Sequence, residues 1–334
     1  MLYISDFYAK REAVSNQIEI LRSKTNSYLF SAARFLKQEP LSADDIKNKK
    51  FILTETGYTL LLPIIARVTR NGIHYFEEEP SGKMREIFNK SNSNLYISMY
   101  RRPNQDYVQH LRGYKNLKKV FVELPEHREI MIKNGIRANM VKVFRTPSLF
   151  SVKKSRKVFN PDNIQILFAS WNNAEGNPLE DRGINFLLKM LRKDTRLNLT
   201  VMPRDDMLEA FNKQVDKLGV KSRVKMKWPA NKSQLKSIFD ESDFIAFPPK
   251  RKISKDVPNS IIDGLSLGKP AIISNVIDFS AVVREKRMGI VINDFDTFRL
   301  EVGKEEYSNM SNNSVKYSEL HSVSNYSKII EEYL

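Results

Sequence analysis

The sequence of 334 residues contains no cysteine, which excludes disulfides and every metal site built on thiolates. It also lacks any apolar run near the roughly 20 residues needed to span a bilayer. The longest candidate, Leu60 to Ala66, is interrupted by Pro63. Met1 leads straight into the strand-like LYIS instead of a basic region followed by an apolar stretch and a small-residue cleavage site, so a cytoplasmic location is expected. Histidine is scarce: His74, His110, His127 and His321 show no metal-ligand spacing, and no Ser-His-Asp arrangement can be read from them. Asp294-Phe295-Asp296 follows the last expected strand and reads as a loop with two solvated acids. No metal and no cofactor are expected.

What is present describes a globular chain. A length of 334 residues exceeds what one compact core usually supports, so two domains of roughly 150 residues each are expected. Hydrophobic residues make up 41% and charged residues 28%, the balance of an ordinary water-facing fold. Lys and Arg number 55 against 39 Asp and Glu, a net charge of +16 that attracts polyanions or an anionic membrane face. The basic residues recur as clusters (Arg101-Arg102, Lys118-Lys119, Lys153-Lys154, Lys250-Arg251-Lys252) instead of forming one tail, and part of this charge reads as solvated surface. They are not interleaved with aromatics in a stacking pattern and no nucleic-acid-binding motif is present, so no specific nucleic-acid partner is expected.

Short apolar strands alternate with helical stretches throughout, the pattern of parallel strands with crossover helices. In the first half the expected strands are Leu2–Ser5, Tyr28–Ala32, Phe51–Thr54, Ile73–Phe76, Leu95–Met99, Val120–Leu124 and Val141–Phe144. Residues 145–163 then lose the periodicity in a stretch rich in serine, proline and basic residues. A second alternating series starts at Ile164. The expected organisation is an α/β N-terminal domain over 1–146, a linker over 147–163, an α/β C-terminal domain over 164–304 and a helical tail over 305–334.

The most informative segment is KDVPNSIIDGLSLGKPAIIS, Lys255 to Ser274. Pro258 suits the first turn of a helix, whose early N–H groups around Asn259, Ser260 and Ile261 have no partner within the helix, and such an end attracts a phosphate. Gly268 stops the helix, Lys269-Pro270 prevents its continuation, and AIIS forms the next strand. In an open parallel sheet the loop after a strand, here FIAFPPKRKIS, is where ligands gather.

This segment resembles the donor-binding signature of family-four glycosyltransferases, retaining enzymes of the GT-B fold. The resemblance implies two Rossmann-like domains facing each other across a cleft, with a final helix, here ending YSKIIEEYL, that crosses back toward the N-terminal domain. Tyr317, Tyr326, Ile329, Ile330 and Tyr333 read as the anchors of this polar tail. The family's usual pattern is Glu, seven residues, Glu, then small residues and Gly-Lys/Thr-Pro. Its second Glu, which holds the donor ribose, falls on Asp263; its first, which contacts the sugar, falls on Lys255, a departure. An ammonium cannot accept hydrogen bonds from sugar hydroxyls but can pair with a diphosphate or an acidic sugar. Asp256 is then the nearest carboxylate for the sugar, with Val257, Pro258, Asn259 and Ser260 completing the donor-binding turn.

Upstream, ILFASWNNAEGNPLEDRGINFLLKML resembles the family's opening strand and phosphate loop. Arg182 stands where the family has its phosphate-binding Lys, and Gly183 opens the helix. A guanidinium can hold a diphosphate in bidentate fashion, though Arg182 can equally be an exposed loop residue. Ser170 follows the strand, and Arg204 is a candidate for a second positive contact. Trp228 either lines the base pocket, with Pro229 and Ala230, or packs as an ordinary core or surface tryptophan. In the N-terminal half, ISDFYAKREAVSNQ has no glycine in the first βα turn, where GT-B enzymes often place a glycine-rich loop, leaving Lys10 and Arg11 as side-chain substitutes or solvated positions. His74 reads as a core histidine, and Glu77 to Glu79 as the acceptor-side carboxylates.

The resemblance implies transfer of a sugar from a nucleotide diphosphate to a hydroxyl of a glycan or lipid-linked acceptor, with retention and without a metal. Arg182, Lys255, Glu77 and Glu79 are the catalytic candidates, and an anionic inner membrane face is the expected peripheral docking surface. The alternatives are a catalytically silent relative that binds a glycan or a partner, and a nucleotide-sugar epimerase of similar fold.

Overall fold

A computed structural model describes residues 1–5, 13–32, 47–77, 81–169, 177–203, 207–252 and 255–332. The chain divides into two compact units, Met1–Thr146 with Val323–Leu334, and Pro147–Ser322.

In the first unit β1 (Leu2–Ser5), α1 (Ala13–Thr25), β2 (Tyr28–Ala32) and β3 (Lys50–Leu53) are followed by α2 (Glu55–Val68), β4 (Ile73–Glu77), α3 (Gly82–Asn89) and β5 (Leu95–Met99). Then come α4 (Gln105–Arg112), β6 (Leu117–Val122), α5 (Pro125–Lys133) and β7 (Val141–Val143). The helix starts are chemically marked. Thr54, Ser81 and Asn104 each accept an N–H of the following turn, at 3.2, 3.3 and 2.8 Å, and Pro125 opens α5. The seven strands lie in the order β3-β2-β1-β4-β5-β6-β7 and pair in parallel, with Ile4 between Phe30 and Tyr75. Side chains alternate across the sheet: Ile4 and Tyr75 enter one core, Tyr3 and Phe76 the other. His74 is fully buried against the Phe76 ring at 4.4 Å and bonds Ser98 Oγ at 2.8 Å, as a core histidine should. Burial pulls its pKa down to about 3, so it stays neutral.

The second unit runs β8 (Ile164–Phe168), α6 (Pro178–Asp181), α7 (Ile184–Lys193), β9 (Leu197–Val201), α8 (Leu208–Leu218), β10 (Val224–Met226) and α9 (Lys232–Asp240). It continues with β11 (Phe244–Phe247), α10 (Asn259–Ser266), β12 (Ala271–Ser274), α11 (Phe279–Glu285), β13 (Gly289–Ile292) and α12 (Lys304–Ser318). Its strands are parallel in the order β10-β9-β8-β11-β12-β13, so the first strand again lies centrally and the winding reverses beside it. This is the doubly wound arrangement.

Two segments are placed by non-local packing. Residues 147–160, expected as a linker, are strapped to the second unit: Lys153 and Ser155 donate N–H groups to the carbonyls of Ser266 and Leu267 at 2.8 and 2.9 Å. Phe159 stacks on Tyr307 at 4.1 Å, and Phe150 packs on Phe239 at 5.3 Å. Aromatic burial outweighs the lack of periodicity there. The expected tail separates into α12, which packs against α10, and α13 (Val323–Glu331), which packs against α1 in the first unit. Tyr326 anchors α13, with no exposed area and its ring 5.9 Å from Phe144.

Removing that anchor tests the assignment. Tyr326→Ala should destabilise the first unit by about 3–5 kcal/mol, as large aromatic truncations do. The Tyr326 hydroxyl is buried without a hydrogen-bond partner among the described residues, so Tyr326→Phe should be at least as stable as the parent. Urea denaturation of the three proteins measures both.

Candidate functional site

In a doubly wound sheet the crevice for a ligand lies beyond the carboxyl ends of the strands that flank the reversal. In the second unit these are β8 and β11. Each is followed by a loop that ends in a helix, and the two loops are locked together. Gly183, which precedes α7, has φ +78°, and a Cβ placed on it would lie 1.9 Å from the carbonyl oxygen of Pro248. Only glycine permits both the backbone conformation and the approach. Lys250 N–H donates to Asp181 O at 2.9 Å, Arg251 pairs with Asp181 at 2.6 Å, and Lys250 pairs with Glu180. Ser274 Oγ, at the end of β12, donates to Pro249 O at 2.5 Å. Arg182, between Asp181 and Gly183, is only 8% exposed. The burial removes the alternative of an Arg standing free in a loop.

The second loop delivers α10. Asp256 and Val257 are buried, and Pro258 occupies the cap position without a side-chain cap hydrogen bond of its own. The positive end of the helix dipole lies at this turn, which follows β11. Lys255 reaches over this turn, its Nζ donating to Asn259 Oδ1 at 2.5 Å. One turn further in, Asp263 is 6% exposed, and its Oδ1 accepts from Leu149 N at 2.7 Å and Ser148 Oγ at 3.1 Å. Its Oδ2 has no partner among the described residues. Burial raises the Asp263 pKa to about 6, against the opposing effects of the Leu149 and Ser148 donors and the charges of Lys232 and Lys255. Gly264 seats the helix on the sheet: a Cβ there would lie 2.1 Å from Ile245 Cγ1 of β11.

Arg182, Gly183, Lys255, Asp256, Val257, Pro258, Asn259 and Ser260 thus belong to the two loop-helix junctions that follow β8 and β11, and Asp263 lies one turn inside α10. Trp228 follows β10 on the outer strand and is 55% exposed, which removes the reading of it as a core tryptophan. Ser170 and Arg204 lie outside the described residues, as do Lys10, Arg11 and Glu79. Glu77 closes β4 of the first unit, with its side chain outside the described set. Asp294 uses its oxygens on its own loop, accepting from Asp296 N and Thr297 Oγ1 at 2.9 Å each.

Three features escaped the sequence. The Ser148-Leu149 latch on Asp263 comes from a stretch with no motif. The brace between the acids of NPLED and the bases of PPKRK joins positions 70 apart, and no spacing announces it. Lys269, read only as part of a helix stop, is a buried lysine whose Nζ donates to the carbonyls of Asp240 at 2.9 Å and Ser242 at 2.6 Å, with burial drawing its pKa down to about 8.

Solved structures share this fold over nearly the whole chain. Anabaena HepE in complex with UDP-glucose superposes with a TM-score of 0.72 at 12% identity, covering 99% of this chain and 98% of that one. The chain has the GT-B fold. Sucrose-phosphate synthase from Thermosynechococcus elongatus gives a TM-score of 0.71 at 11% identity, over 99% and 98% of the two chains. A glycosyltransferase from Rickettsia africae gives 0.68 at 12%, over 99% and 97%. No family model and no curated protein sequence matches the chain.

The brace and the buried acid each make a measurable difference. Gly183→Ala should lower stability by at least about 1–2 kcal/mol from the left-handed backbone alone, with the Pro248 overlap adding to it, as read by thermal unfolding. Asp263 holds its proton up to a pH of about 6 in the folded chain and only to about 3.8 when unfolded. Between those values the folded state binds more protons, so stability falls as pH rises from about 4 to about 6 and then levels off, by a total of about 3 kcal/mol. Urea titrations across this range should show that this component of the slope is missing in Asp263→Asn.

Proposed function

We propose that the chain transfers a sugar from a nucleotide diphosphate to a hydroxyl of a glycan or lipid-linked acceptor, with retention of anomeric configuration. The observation that carries this reading is the juxtaposition, at one sheet edge, of the buried Arg182 beside the braced loop with the start of α10 and Lys255 beside it. Positive groups fixed by packing before any ligand arrives suit the charge that develops on a departing diphosphate. Arg182 would hold the diphosphate in bidentate fashion, and the N–H groups of Asn259 and Ser260 would meet it at the helix end.

Asp263 Oδ2 would accept the ribose hydroxyls, while Oδ1 stays latched to Leu149 and Ser148. The exposed Trp228 would stack on the base, and Ser170 and Arg204 would complete the donor side. Asp256 would meet the sugar. Because HepE is in complex with UDP and with UDP-glucose, uridine diphosphate is the first nucleotide to test. In the reaction the acceptor oxygen forms its bond to the anomeric carbon on the face from which the diphosphate leaves. The C–O bond to phosphate breaks, and the acceptor proton passes to a diphosphate oxygen. The positive charge is supplied by protein groups, so the reaction as proposed uses no metal. Glu77 and Glu79 would orient the acceptor from the first unit.

No helix among the described residues is long and apolar enough to cross a membrane. We place the protein in the cytoplasm, where a lipid-linked acceptor would be met at a membrane surface.

Lys255 is the residue that separates an enzyme from a silent relative. Calorimetry should show UDP binding that Arg182→Ala weakens by about 1.5–3 kcal/mol, the loss of a charge-assisted bond. In transfer assays over a panel of nucleotide sugars, Lys255→Ala should lower kcat more than it lowers nucleotide affinity, and Lys255→Glu should impair turnover further by placing a carboxylate beside the leaving group. Binding without transfer to any acceptor would favour the silent relative. A fully active Lys255→Glu protein with altered sugar preference would remove the leaving-group role of Lys255.

A further inference from the structure

The helix α2 is amphipathic in an unusual sense. Tyr58, Leu62 and Ala66 face the core, as expected of a helix covering a sheet. The opposite face, which normally carries polar residues, carries Leu60, Leu61, Ile64 and Val68, exposed by 67%, 43%, 59% and 69%. Leu60, Ile64 and Val68 follow one another at four-residue spacing and form a continuous stripe. Pro63 stands on the same exposed side within the helix.

The apolar surface continues beyond the helix. Ile65, Thr69 and Arg70 line a cavity of about 340 Å³ together with Tyr28 and Phe51. These two rings are themselves 48% and 38% exposed and stack at 6.3 Å on the strands β2 and β3. Lys49 lies over the Tyr28 ring at 5.3 Å. Basic residues predominate in the stretch 47–72, where Lys47, Lys49, Lys50, Arg67 and Arg70 stand against Glu55. Lys50 is paired with Glu19 at 3.0 Å, so Lys49, Arg67 and Arg70 are the cations that matter for the patch. Arg67 and Arg70 are exposed at the end of the stripe.

We propose that this face of the first unit docks on an anionic lipid bilayer, with Leu60, Leu61, Ile64 and Val68 entering the headgroup boundary and Arg67 and Arg70 pairing with lipid phosphates. Charge complementarity decides the occupant. A stripe of aliphatic side chains rimmed by cations matches an interface that is apolar beneath and negative at its surface. The inference extends the proposed function by giving a lipid-linked acceptor a route to the first unit. It does not depend on nucleotide binding.

The experiment is co-sedimentation of the full-length protein with vesicles of phosphatidylcholine alone and of phosphatidylcholine with 30 mol% phosphatidylglycerol. Binding to the anionic vesicles should be at least about tenfold stronger than to the neutral ones. The double variant Leu60→Ser/Ile64→Ser should lower it by about tenfold or more, with an unchanged thermal unfolding profile, since both positions are exposed. Arg67→Glu/Arg70→Glu should do the same, and salt should weaken the wild-type binding without abolishing it. Equal binding by wild type and both variants would overturn the proposal, because general positive charge would then suffice. So would a loss of self-association in the serine variant on light scattering, which would make the face a contact between copies. UDP calorimetry on the same preparations keeps the two readings apart: nucleotide binding without vesicle binding overturns only the docking face, and the reverse overturns only the proposed function.

Discussion

The contact between Gly183 and the carbonyl of Pro248 is the constraint on which the candidate site depends. Two loops that leave a parallel sheet at its winding reversal would ordinarily be free to splay, since loops bury few backbone groups. Here a Cβ-free residue in a left-handed conformation lets one loop press on the backbone of the other. The ion pairs of Glu180 and Asp181 with Lys250 and Arg251 then add to a position that packing has already set. Exposed pairs of this kind contribute little by themselves. Their role is to keep Arg182 and the start of α10 in one place, and a positive site gains most when its geometry requires no reorganisation on binding.

The same economy of motion governs Asp263. A buried carboxylate is unfavourable unless it is hydrogen-bonded, and the latch from Ser148 and Leu149 supplies two donors to one oxygen while leaving the other open. The strap at residues 147–160 is therefore part of the site's support as well as a connection between units. The charges of Lys232 and Lys255 act on the same carboxylate. An acid held near the titration range of ordinary buffers makes this helix sensitive to pH in a way that an exposed ribose ligand would not be.

The alternation of short apolar strands with helices was legible because period-2 and period-3.6 patterns follow directly from backbone geometry. Leu2–Ser5, Tyr28–Ala32 and Leu95–Met99 fall where the pattern puts them. The segment from Lys255 to Ser274 was equally legible, since Pro258 and Gly268 mark both ends of one helix. Residues 147–160 were not, because their order comes from Phe150 and Phe159 inserting into a distant core, and non-local burial leaves no periodicity. The C-terminal stretch was legible in part: Tyr326 reads as an anchor and the resemblance implies a last helix that crosses back, whereas the contact with Phe144 leaves no mark in the sequence. The apolar outer face of α2 was visible as LLLPII but had no interpretation without knowing which side the sheet covers.

The proposed chemistry needs a nucleotide diphosphate at the junction of the two braced loops, and a crystal structure of the protein soaked with UDP would locate it. Diphosphate oxygens should lie within about 3 Å of the Arg182 guanidinium and of the N–H groups opening α10, with the ribose against Asp263. UDP bound elsewhere on the second unit, away from Arg182 and α10, would overturn the assignment of this site.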